Sequence, residues 1–400
     1  MKLRSWSRFR SCSPKRFAKK QAVGCRAFGS IRLIARCFKL TKPVNEWLIY
    51  PSNRLCPTRN KISTTMNIAF FSCHPYEQSF LEAANNHRHQ LTFLPQSLTP
   101  ETVLLAAGHR AICVFVNDQL TRPTLQALAG LGIRLVALRC TGVNQVDIQT
   151  AQQLGIRILR VPTYSPHSVA EHAVALLLSL NRKTYLAYQR TKDNNFTLDG
   201  LMGFDLYGKR VGVIGTGKIG AAFARIMLGF GCHVLAYDKA HSAILQQLGV
   251  EYLPVDELLA KADVISLHCP LTSETHHLID APALARMKPG SYLINTSRGG
   301  LLDTPAVLDA LQSGHLGALG IDVYEQEDDF FFADWSGKEL PDADLNTLTH
   351  LPNVLVTAHQ GFFTREAMEQ IAHTTLNNLT YLEQERLPQE QLLTDAVVVG

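Results

Sequence analysis

The sequence predicts an α/β protein built from two doubly wound domains with a cleft between them. Three observations lead to this fold class: a glycine-rich turn between a strand and a helix, short apolar strands that alternate with helices on both sides of that turn, and the length of the chain. Continuous runs of Val, Ile and Leu are typical of parallel strands covered by helices on both faces. About 335 residues follow a basic N-terminal segment, and that length favours two cores over one.

The glycine-rich turn lies in residues 211–220, which read VGVIGTGKIG. Gly215 permits a tight turn, Gly217 lets backbone amides approach a pyrophosphate, and Gly220 lets the following helix pack closely on the sheet. Asp238 ends the next predicted strand, where its carboxylate would accept hydrogen bonds from both ribose hydroxyls and repel a 2′-phosphate. The pattern therefore predicts Rossmann-like domains, of which the one that contains this turn binds NAD in preference to NADP.

The predicted strands form two series, one before the glycine turn and one that starts at it. The first series comprises residues 68–71, 112–116, 135–138 and 156–160, and the second comprises residues 211–214, 233–237, 264–268, 292–295, 317–323 and 354–358. Because the cofactor motif belongs to the second series, the first must form the substrate domain. We predict a substrate domain of residues 66–163 plus 361–400 and an NAD-binding domain of residues 164–360.

Two long helices are predicted where the chain passes from one domain to the other. The first covers residues 169–191, with Ser168 as its N-cap and Glu171 at the spacing of a capping box. It could be a plain core helix, a crossover between the domains or a subunit contact. The second covers residues 364–385 and is predicted to return to the first domain.

The charge of the chain is divided unevenly. Residues 1–65 hold sixteen Lys and Arg against one acidic residue, whereas the remaining 335 residues hold 23 basic and 33 acidic residues, a net of −10. The basic segment could be a transit peptide, a basic arm for nucleic acid or a membrane surface, or sequence translated upstream of a true start at Met66. We favour the third interpretation, because the segment lacks a clear helical period. The acidic body carries no basic stripe with interleaved aromatic residues, so no nucleic-acid partner is expected.

Cysteine and histidine patterns favour a cytoplasmic protein without a metal. The longest apolar run, residues 173–180, is too short to span a bilayer, so no membrane partner is expected. Five cysteines follow the basic segment in apolar surroundings and are expected to be reduced core residues: Cys73, Cys113, Cys140, Cys232 and Cys269. The pairs His87/His89 and His276/His277 have no acidic or cysteine partner at ligand spacing, which predicts surface histidines.

Polar residues follow three strands of the second series, and the carboxyl ends of such strands face the ligand cleft. The guanidinium of Arg298 could bind a carboxylate bidentately, although an arginine at this place could also be a structural ion-pair partner. A glutamate after one strand and His359 after the last would suit an acid–base pair. Both Glu325 and Glu327 are candidates for that glutamate.

At several places the chain resembles the D-isomer-specific 2-hydroxyacid dehydrogenases, and among them the NAD-dependent D-lactate dehydrogenases. The matching segments cover almost all of the chain after Met66 and none of the basic segment. They include the glycine turn and residues 164–166 (YSP), 170–172 (AEH), 266–272 (SLHCPLT), 295–301 (NTSRGGL), 319–325 (LGIDVYE), 359–360 (HQ) and 362–364 (FFT). Gly361 stands where many members of the family carry alanine, which affects only the local shape of the pocket.

The resemblance implies reduction of pyruvate to D-lactate by hydride transfer from NADH. It assigns 2-oxo acid binding to Arg298, proton donation to His359, and the orientation of that histidine to a glutamate whose spacing points to Glu327. Residues implied in cofactor binding are Gly215, Gly217, Lys218, Ile219, Gly220, Asp238, Cys269, Pro270, Thr275, Thr296 and Asp322. Residues implied in substrate binding are Phe115, Thr141, Gly142, Tyr164 and Phe362.

The resemblance leaves the substrate and one other function class open. Phe115, Tyr164 and Phe362 suggest a small apolar pocket, which favours pyruvate as the substrate. The alternatives are a bulkier 2-oxo acid, glyoxylate or hydroxypyruvate. An NAD-sensing corepressor that binds peptides could use the same fold. Family members usually dimerise, so a homodimer or larger assembly is expected.

Overall fold

Five parallel strands form the first sheet of the computed structural model, which describes residues 65–327, 330–386, 388 and 391–394. All but Thr65 of the predicted basic segment, residues 1–65, therefore lies outside the described residues, as do residues 395–400 of the predicted substrate domain. The strands are β1 (Asn67–Phe70), β2 (Gln90–Phe93), β3 (Ala111–Val114), β4 (Leu135–Leu138) and β5 (Arg157–Arg160). Their order in the sheet is β2-β1-β3-β4-β5, an order typical of doubly wound folds.

Seven parallel strands form the second sheet, in the order β12-β11-β10-β9-β6-β7-β8. They are β6 (Arg210–Ile214), β7 (His233–Tyr237), β8 (Glu251–Tyr252), β9 (Val264–Leu267), β10 (Ser291–Asn295), β11 (Leu316–Ile321) and β12 (Val354–Val356). The strand order reverses between β6 and β9, and ligands bind at such a point in doubly wound sheets.

Twelve helices accompany the two sheets in the described part of the chain. They are α1 (Pro75–Asn85), α2 (Arg122–Gly130), α3 (Ile148–Gln153), α4 (Pro166–Arg182), α5 (Thr184–Lys192), α6 (Lys218–Gly229), α7 (Ala243–Gln247), α8 (Val255–Lys261), α9 (Ala281–Arg286), α10 (Thr304–Gln312), α11 (Ala343–His350) and α12 (Arg365–Glu383). Among the described residues, no helix has the length and apolar character needed to cross a membrane.

Alternate residues of the strands pack against helices on opposite faces, as the continuous apolar runs predicted. In the first sheet, Ile112 and Val136 pack with α2 and α3, whereas Cys113 and Ala137 pack with α1 and α12. In the second sheet, α4, α6 and α7 cover one face, and α8 to α11 cover the other. The predicted α/β fold class, with two Rossmann-like doubly wound units, is therefore confirmed.

All ten predicted strands are present, and two further strands were not predicted. Strands β2 and β8 were missed, because each is an edge strand whose residues are exposed or half-buried and so lacks a continuous buried run. The predicted strands at 317–323 and 354–358 are shorter in the structure, since the polar residues that follow them leave the sheets for the cleft.

The prediction of one helix over residues 169–191 was wrong. Helix α4 begins at Pro166 and ends at Arg182, because Lys183 has a left-handed backbone conformation (φ 47°), and α5 follows it. Ser168 lies inside the first turn of α4, where its hydroxyl is 2.7 Å from the Thr364 hydroxyl. Ser168 is therefore not the N-cap, and the capping box expected with Glu171 does not form.

Candidate functional site

The glycine-rich turn joins β6 to α6 as the motif predicted. Gly215 has φ +93°, and a Cβ atom there would lie 2.5 Å from the backbone nitrogen of Cys269. A Cβ atom on Gly220 would overlap the carbonyl oxygen of Gly215, whereas one on Gly217 would meet no protein atom within 4 Å. Two of these glycines are therefore required by the protein's own packing, and the space beside Gly217 is available to a ligand.

Asp238 follows β7 and lies against this turn. Its Oδ2 accepts hydrogen bonds from the Thr216 backbone N–H (2.6 Å) and hydroxyl (3.1 Å), and its Oδ1 accepts one from the backbone N–H of Ala240 (3.1 Å). Burial raises the pKa of Asp238, but the hydrogen bonds from Ala240 and Thr216 outweigh burial and bring that pKa below its usual value. The turn therefore holds an ionised carboxylate at its edge.

Four other predicted cofactor residues lie on the loops that follow β9 and β10, namely Cys269, Pro270, Thr275 and Thr296. The Thr275 hydroxyl donates to the carbonyl oxygen of Pro270 (2.7 Å), which fixes the turn after β9. Thr296 follows β10, and its buried hydroxyl has no hydrogen-bond partner among the described residues. A buried hydroxyl without a partner is costly, so Thr296 suits a polar ligand atom in this cleft.

Asp322, just after β11, is held by four groups. The Thr357 hydroxyl (2.6 Å) and the Gln360 N–H (2.9 Å) donate to its Oδ1, and the Gly361 N–H (2.7 Å) donates to its Oδ2. His172 from α4 lies 3.2 Å from Oδ1. Burial raises the pKa of Asp322, but these partners outweigh burial and bring that pKa below its usual range. His172 makes the largest contribution among them. A fixed, ionised carboxylate therefore lies beside the cavity that Thr296 also lines.

His359 and Glu327 form a close pair in the cleft. The Nδ1 atom of His359 lies 2.7 Å from Oε1 of Glu327, and the other carboxylate oxygen accepts the backbone N–H of Tyr324 (2.9 Å). Glu325, the other sequence candidate, contacts His277 instead, with 3.1 Å between Oε1 and Nε2. The structure thus places Glu327 on the histidine and directs Glu325 elsewhere.

Arg298 lines the same cavity as this pair and lies close to the loop that follows β4. Its Nη1 donates to the Ser297 carbonyl oxygen (2.6 Å). A Cβ atom on Gly142 would stand 3.0 Å from Arg298 Nη2, so the glycine lets the loop after β4 approach the guanidinium closely. The Thr141 hydroxyl in the same loop is buried without a hydrogen-bond partner among the described residues.

Three adjoining cavities share Arg298 and His359. The first, of about 160 Å³, also contains Gly142 and Glu327. The second, of about 50 Å³, is lined by the predicted substrate residues Phe115, Thr141, Gly142, Tyr164 and Phe362. The third contains Ile219, Thr296 and Asp322 from the predicted cofactor set. The arginine and the histidine therefore stand where the predicted cofactor and substrate residues meet.

Phe332 and Arg139 also line the aromatic cavity and were not predicted from the sequence. The Phe332 ring lies 5.5 Å from that of Phe115, and its position follows from tertiary packing, since nothing in the run Phe330-Phe331-Phe332 distinguishes it. Arg139 is buried beneath Phe115, with its Cζ 4.8 Å from the ring centroid, and its Nε donates to Glu77 (3.0 Å). Arg139 directly follows the apolar strand β4, and a charged residue at that position is a sequence feature that could have drawn attention to it.

The prediction that the histidine pairs lie on the surface is correct for His87 and His276 and wrong for His89, which is buried and lies 3.9 Å from Glu383. No acidic partner was found for His276 and His277, but Glu325 contacts both, at 3.5 Å and 3.1 Å. It was missed because it lies 48 residues from His277 in the sequence.

Comparison with known proteins agrees with this geometry. Residues 174–361 match the family model of the D-isomer specific 2-hydroxyacid dehydrogenase NAD binding domain. A D-lactate dehydrogenase of Escherichia coli is 47% identical over 327 residues, which cover 81% of this chain and 99% of that protein. The chain belongs to the D-isomer-specific 2-hydroxyacid dehydrogenases. It is an NAD-dependent oxidoreductase of D-2-hydroxy acids.

Solved structures of this dehydrogenase family share its fold. The apo structure of E. coli D-lactate dehydrogenase is 44% identical, with a TM-score of 0.75, and the match covers 82% of this chain and 99% of that one. A D-lactate dehydrogenase from Aquifex aeolicus, solved with NAD and lactic acid, is 32% identical with a TM-score of 0.72, and the match covers 84% and 99% of the two chains.

Proposed function

We propose that this dehydrogenase reduces pyruvate to D-lactate. The observation that carries the proposal is the convergence of Arg298 and the His359–Glu327 pair on cavities that adjoin an aromatic pocket of about 50 Å³. The rings of Phe332 and Phe362 lie 5.5 Å and 6.0 Å from that of Phe115, so they narrow this pocket and favour a small side chain on the substrate. The similarity to proteins described as D-lactate dehydrogenases supports the same substrate.

The residues of the glycine turn and its neighbours fit NAD. The open space beside Gly217 and the N-terminus of α6 suit a pyrophosphate, and Asp238 suits the ribose hydroxyls. The unpartnered hydroxyl of Thr296 and the fixed carboxylate of Asp322 suit the nicotinamide end. Bound NADH supplies the hydride that reduces the substrate's carbonyl carbon.

The roles of the remaining site residues follow from charge. Arg298 binds the substrate carboxylate with its guanidinium and stabilises negative charge near the carbonyl oxygen. The backbone N–H groups of Thr141 and Gly142, in the loop beside Arg298, help to bind the substrate carboxylate. His359, protonated and held by Glu327, donates its proton to that oxygen, and the proton and hydride together convert the carbonyl group to an alcohol.

We also propose the division into a substrate domain (66–163 and 361–400) and an NAD-binding domain (164–360). Helix α12 supports it, because the helix packs against the first sheet through Leu376 and Leu379 although it follows the second sheet in the sequence. Closure of the two domains would exclude water from the cavities.

A homodimer or larger assembly is proposed from an exposed apolar surface. Helix α5 and the segment after it expose several large side chains, with Leu198 81% and Met202 87% exposed; the others are Tyr188, Phe196 and Tyr207. Such a surface is typical of a subunit contact. Light scattering that finds a monomer at micromolar concentration would contradict this proposal. A cytoplasmic location without nucleic-acid or membrane partners also stays a proposal, supported by the five cysteines that the structure describes, all of which are free.

Replacing Glu327 by glutamine is expected to lower kcat about tenfold to thirtyfold, because a hydrogen bond to a charged group contributes about 1.5–2 kcal/mol. Steady-state reduction of pyruvate measures the effect. The neighbouring change Glu325→Gln is expected to lower kcat much less, since that carboxylate contacts His277. Equal losses in the two variants would contradict the pairing of Glu327 with His359.

Replacing Asp238 by alanine or asparagine is expected to raise the ratio of kcat/KM for NADPH to that for NADH by about tenfold or more, since the change removes a charge that repels the 2′-phosphate. Asp238→Asn keeps an acceptor for the Thr216 N–H and so separates loss of charge from local disorder. An unchanged ratio in both variants would remove the ribose role from Asp238.

The two glycines of the turn are expected to respond differently to alanine. Gly220→Ala should destabilise the protein by about 1–3 kcal/mol, because the new methyl group overlaps the Gly215 carbonyl oxygen. Gly217→Ala should change stability by less than about 1 kcal/mol and yet weaken NADH binding, since the methyl group fills the space left for the cofactor. Thermal unfolding and titration of NADH fluorescence measure the two effects. Unchanged NADH affinity in Gly217→Ala would contradict the assigned pyrophosphate position.

A further inference from the structure

Two imidazoles and one carboxylate converge at the rim of the cleft, outside the pair formed by His359 and Glu327. The Nε2 atoms of His276 and His277 lie 3.5 Å and 3.1 Å from Oε1 of Glu325. One potential ligand atom from each residue lies within 4.8 Å of the others. The two rings are stacked, with centroids 3.9 Å apart and planes at 25°. We call these three residues the His-His-Glu cluster.

The backbone holds the cluster in place from two sides. The histidines lie on the turn after β9, where the His276 N–H donates to Thr272 (2.9 Å) and the His277 N–H donates to Gly300 (2.8 Å). The backbone of Tyr324 and Glu325 packs directly against Gly299, where a Cβ atom would overlap it. Segments from the ends of three neighbouring strands, β9, β10 and β11, therefore hold the backbone that carries the three side chains.

One residue of this turn, His277, has a strained backbone conformation. His277 has φ +51°, in the left-handed region that residues other than glycine seldom occupy. The strained backbone brings two consecutive histidine side chains to the same carboxylate oxygen, and such a conformation persists where the surrounding structure enforces it.

The composition and exposure of the cluster suit a transition-metal ion. Two imidazole nitrogens and a carboxylate form a donor set that zinc binds with an open fourth position. The side chains of His276, His277 and Glu325 are 53%, 34% and 25% exposed, so an ion with a water ligand can enter from solvent. An exposed His–Glu ion pair contributes little to stability. Stability therefore does not explain why a second histidine contacts the same carboxylate.

We propose that His276, His277 and Glu325 bind one divalent transition-metal ion of the zinc type at the rim of the active-site cleft. Glu325 lines the same cavity as Arg298, so the ion would stand at the entrance of the site and outside the His359–Glu327 pair. This site is additional to the proposed pyruvate reduction, which needs no metal in the mechanism above.

The test compares zinc binding by the untagged full-length protein and matched variants, using isothermal titration with Zn²⁺ and metal analysis after dialysis. The chain holds nine cysteines, so the difference between variants, and not the total zinc, reports the site. His276→Gln is expected to lose one zinc equivalent, and Glu325→Gln is expected to weaken that equivalent by about tenfold or more. His373→Gln, an exposed histidine on α12, serves as the control and should match the wild type.

The visible absorption of bound Co²⁺ provides a second readout, which should change in His276→Gln and not in His373→Gln. Equal zinc stoichiometry and affinity in the wild type, His276→Gln and Glu325→Gln would overturn the proposal. Because neither readout uses turnover, failure of the metal site is distinguishable from failure of the proposed reaction.

Discussion

Replacing His359 by glutamine is expected to lower kcat for pyruvate reduction by about 10²–10⁴-fold, the usual contribution of a positioned general acid. Glutamine keeps a polar side chain of similar size but cannot donate a proton to the developing alkoxide. Binding of NADH should change little, since the ring's hydrogen bond is to Glu327 and not to the glycine turn. Stopped-flow oxidation of NADH and a separate fluorescence titration measure the two quantities.

The control for this variant is His373→Gln, which alters an exposed histidine away from the cavities and should leave kcat unchanged. If His359→Gln kept turnover within a few-fold of the wild type, another group would have to supply the proton. If NADH binding were lost as well, the variant would report a disturbed cleft and the role of His359 as proton donor would lose its support.

Replacing Arg298 by lysine is expected to lower kcat/KM for pyruvate by about 10²–10³-fold. The charge remains, but an ammonium group cannot form the paired hydrogen bonds that a guanidinium forms with a carboxylate, and loss of such a partner inside a closed site costs about 2–5 kcal/mol. Gly142 approaches the guanidinium so closely that a flexible lysine would also leave part of this contact unfilled.

The matched control is Arg286→Lys, in which an exposed arginine on α9 pairs with Asp256. It should retain the wild-type kcat/KM, because exposed ion pairs contribute little. An Arg298→Lys enzyme with unchanged kinetics would mean that Arg298 is a structural residue, the alternative that the sequence left open.

The fold class and the conformation of the glycine-rich turn could be predicted from the sequence because both depend on local patterns. The glycines of the turn, the strand before it and Asp238 lie within about thirty residues of one another, and each has a backbone or charge requirement that shows in the residue type. The positions of Arg298 and His359 followed from a general rule, since both come directly after parallel strands.

Contacts that depend on packing between distant segments could not be predicted in this way. Glu77 and Arg139 are 62 residues apart, and the contact of Phe332 with Phe115 joins loops of the two sheets. The same reason explains why Glu325 was not recognised as the partner of His277. No periodicity or motif in the sequence specifies these pairs.

The break between α4 and α5 was missed for a different reason. The chain carries neither glycine nor proline there, and Lys183 adopts the left-handed conformation that glycine usually supplies at the end of a helix. Its ammonium group is held by the carbonyl oxygens of Gly200 (2.8 Å) and Met202 (3.2 Å), a tertiary contact that accompanies the break.

The most direct test of the proposed function is the rate of NADH oxidation by the purified protein with a panel of 2-oxo acids, together with chiral analysis of the product. The panel includes pyruvate, glyoxylate, hydroxypyruvate, 2-oxoisocaproate and phenylpyruvate. We expect the highest kcat/KM with pyruvate and D-lactate as the product, because closely packed aromatic rings narrow the pocket that Arg298 and His359 also line. Faster turnover of a bulkier acid, or binding of NADH without turnover of any acid, would contradict this function.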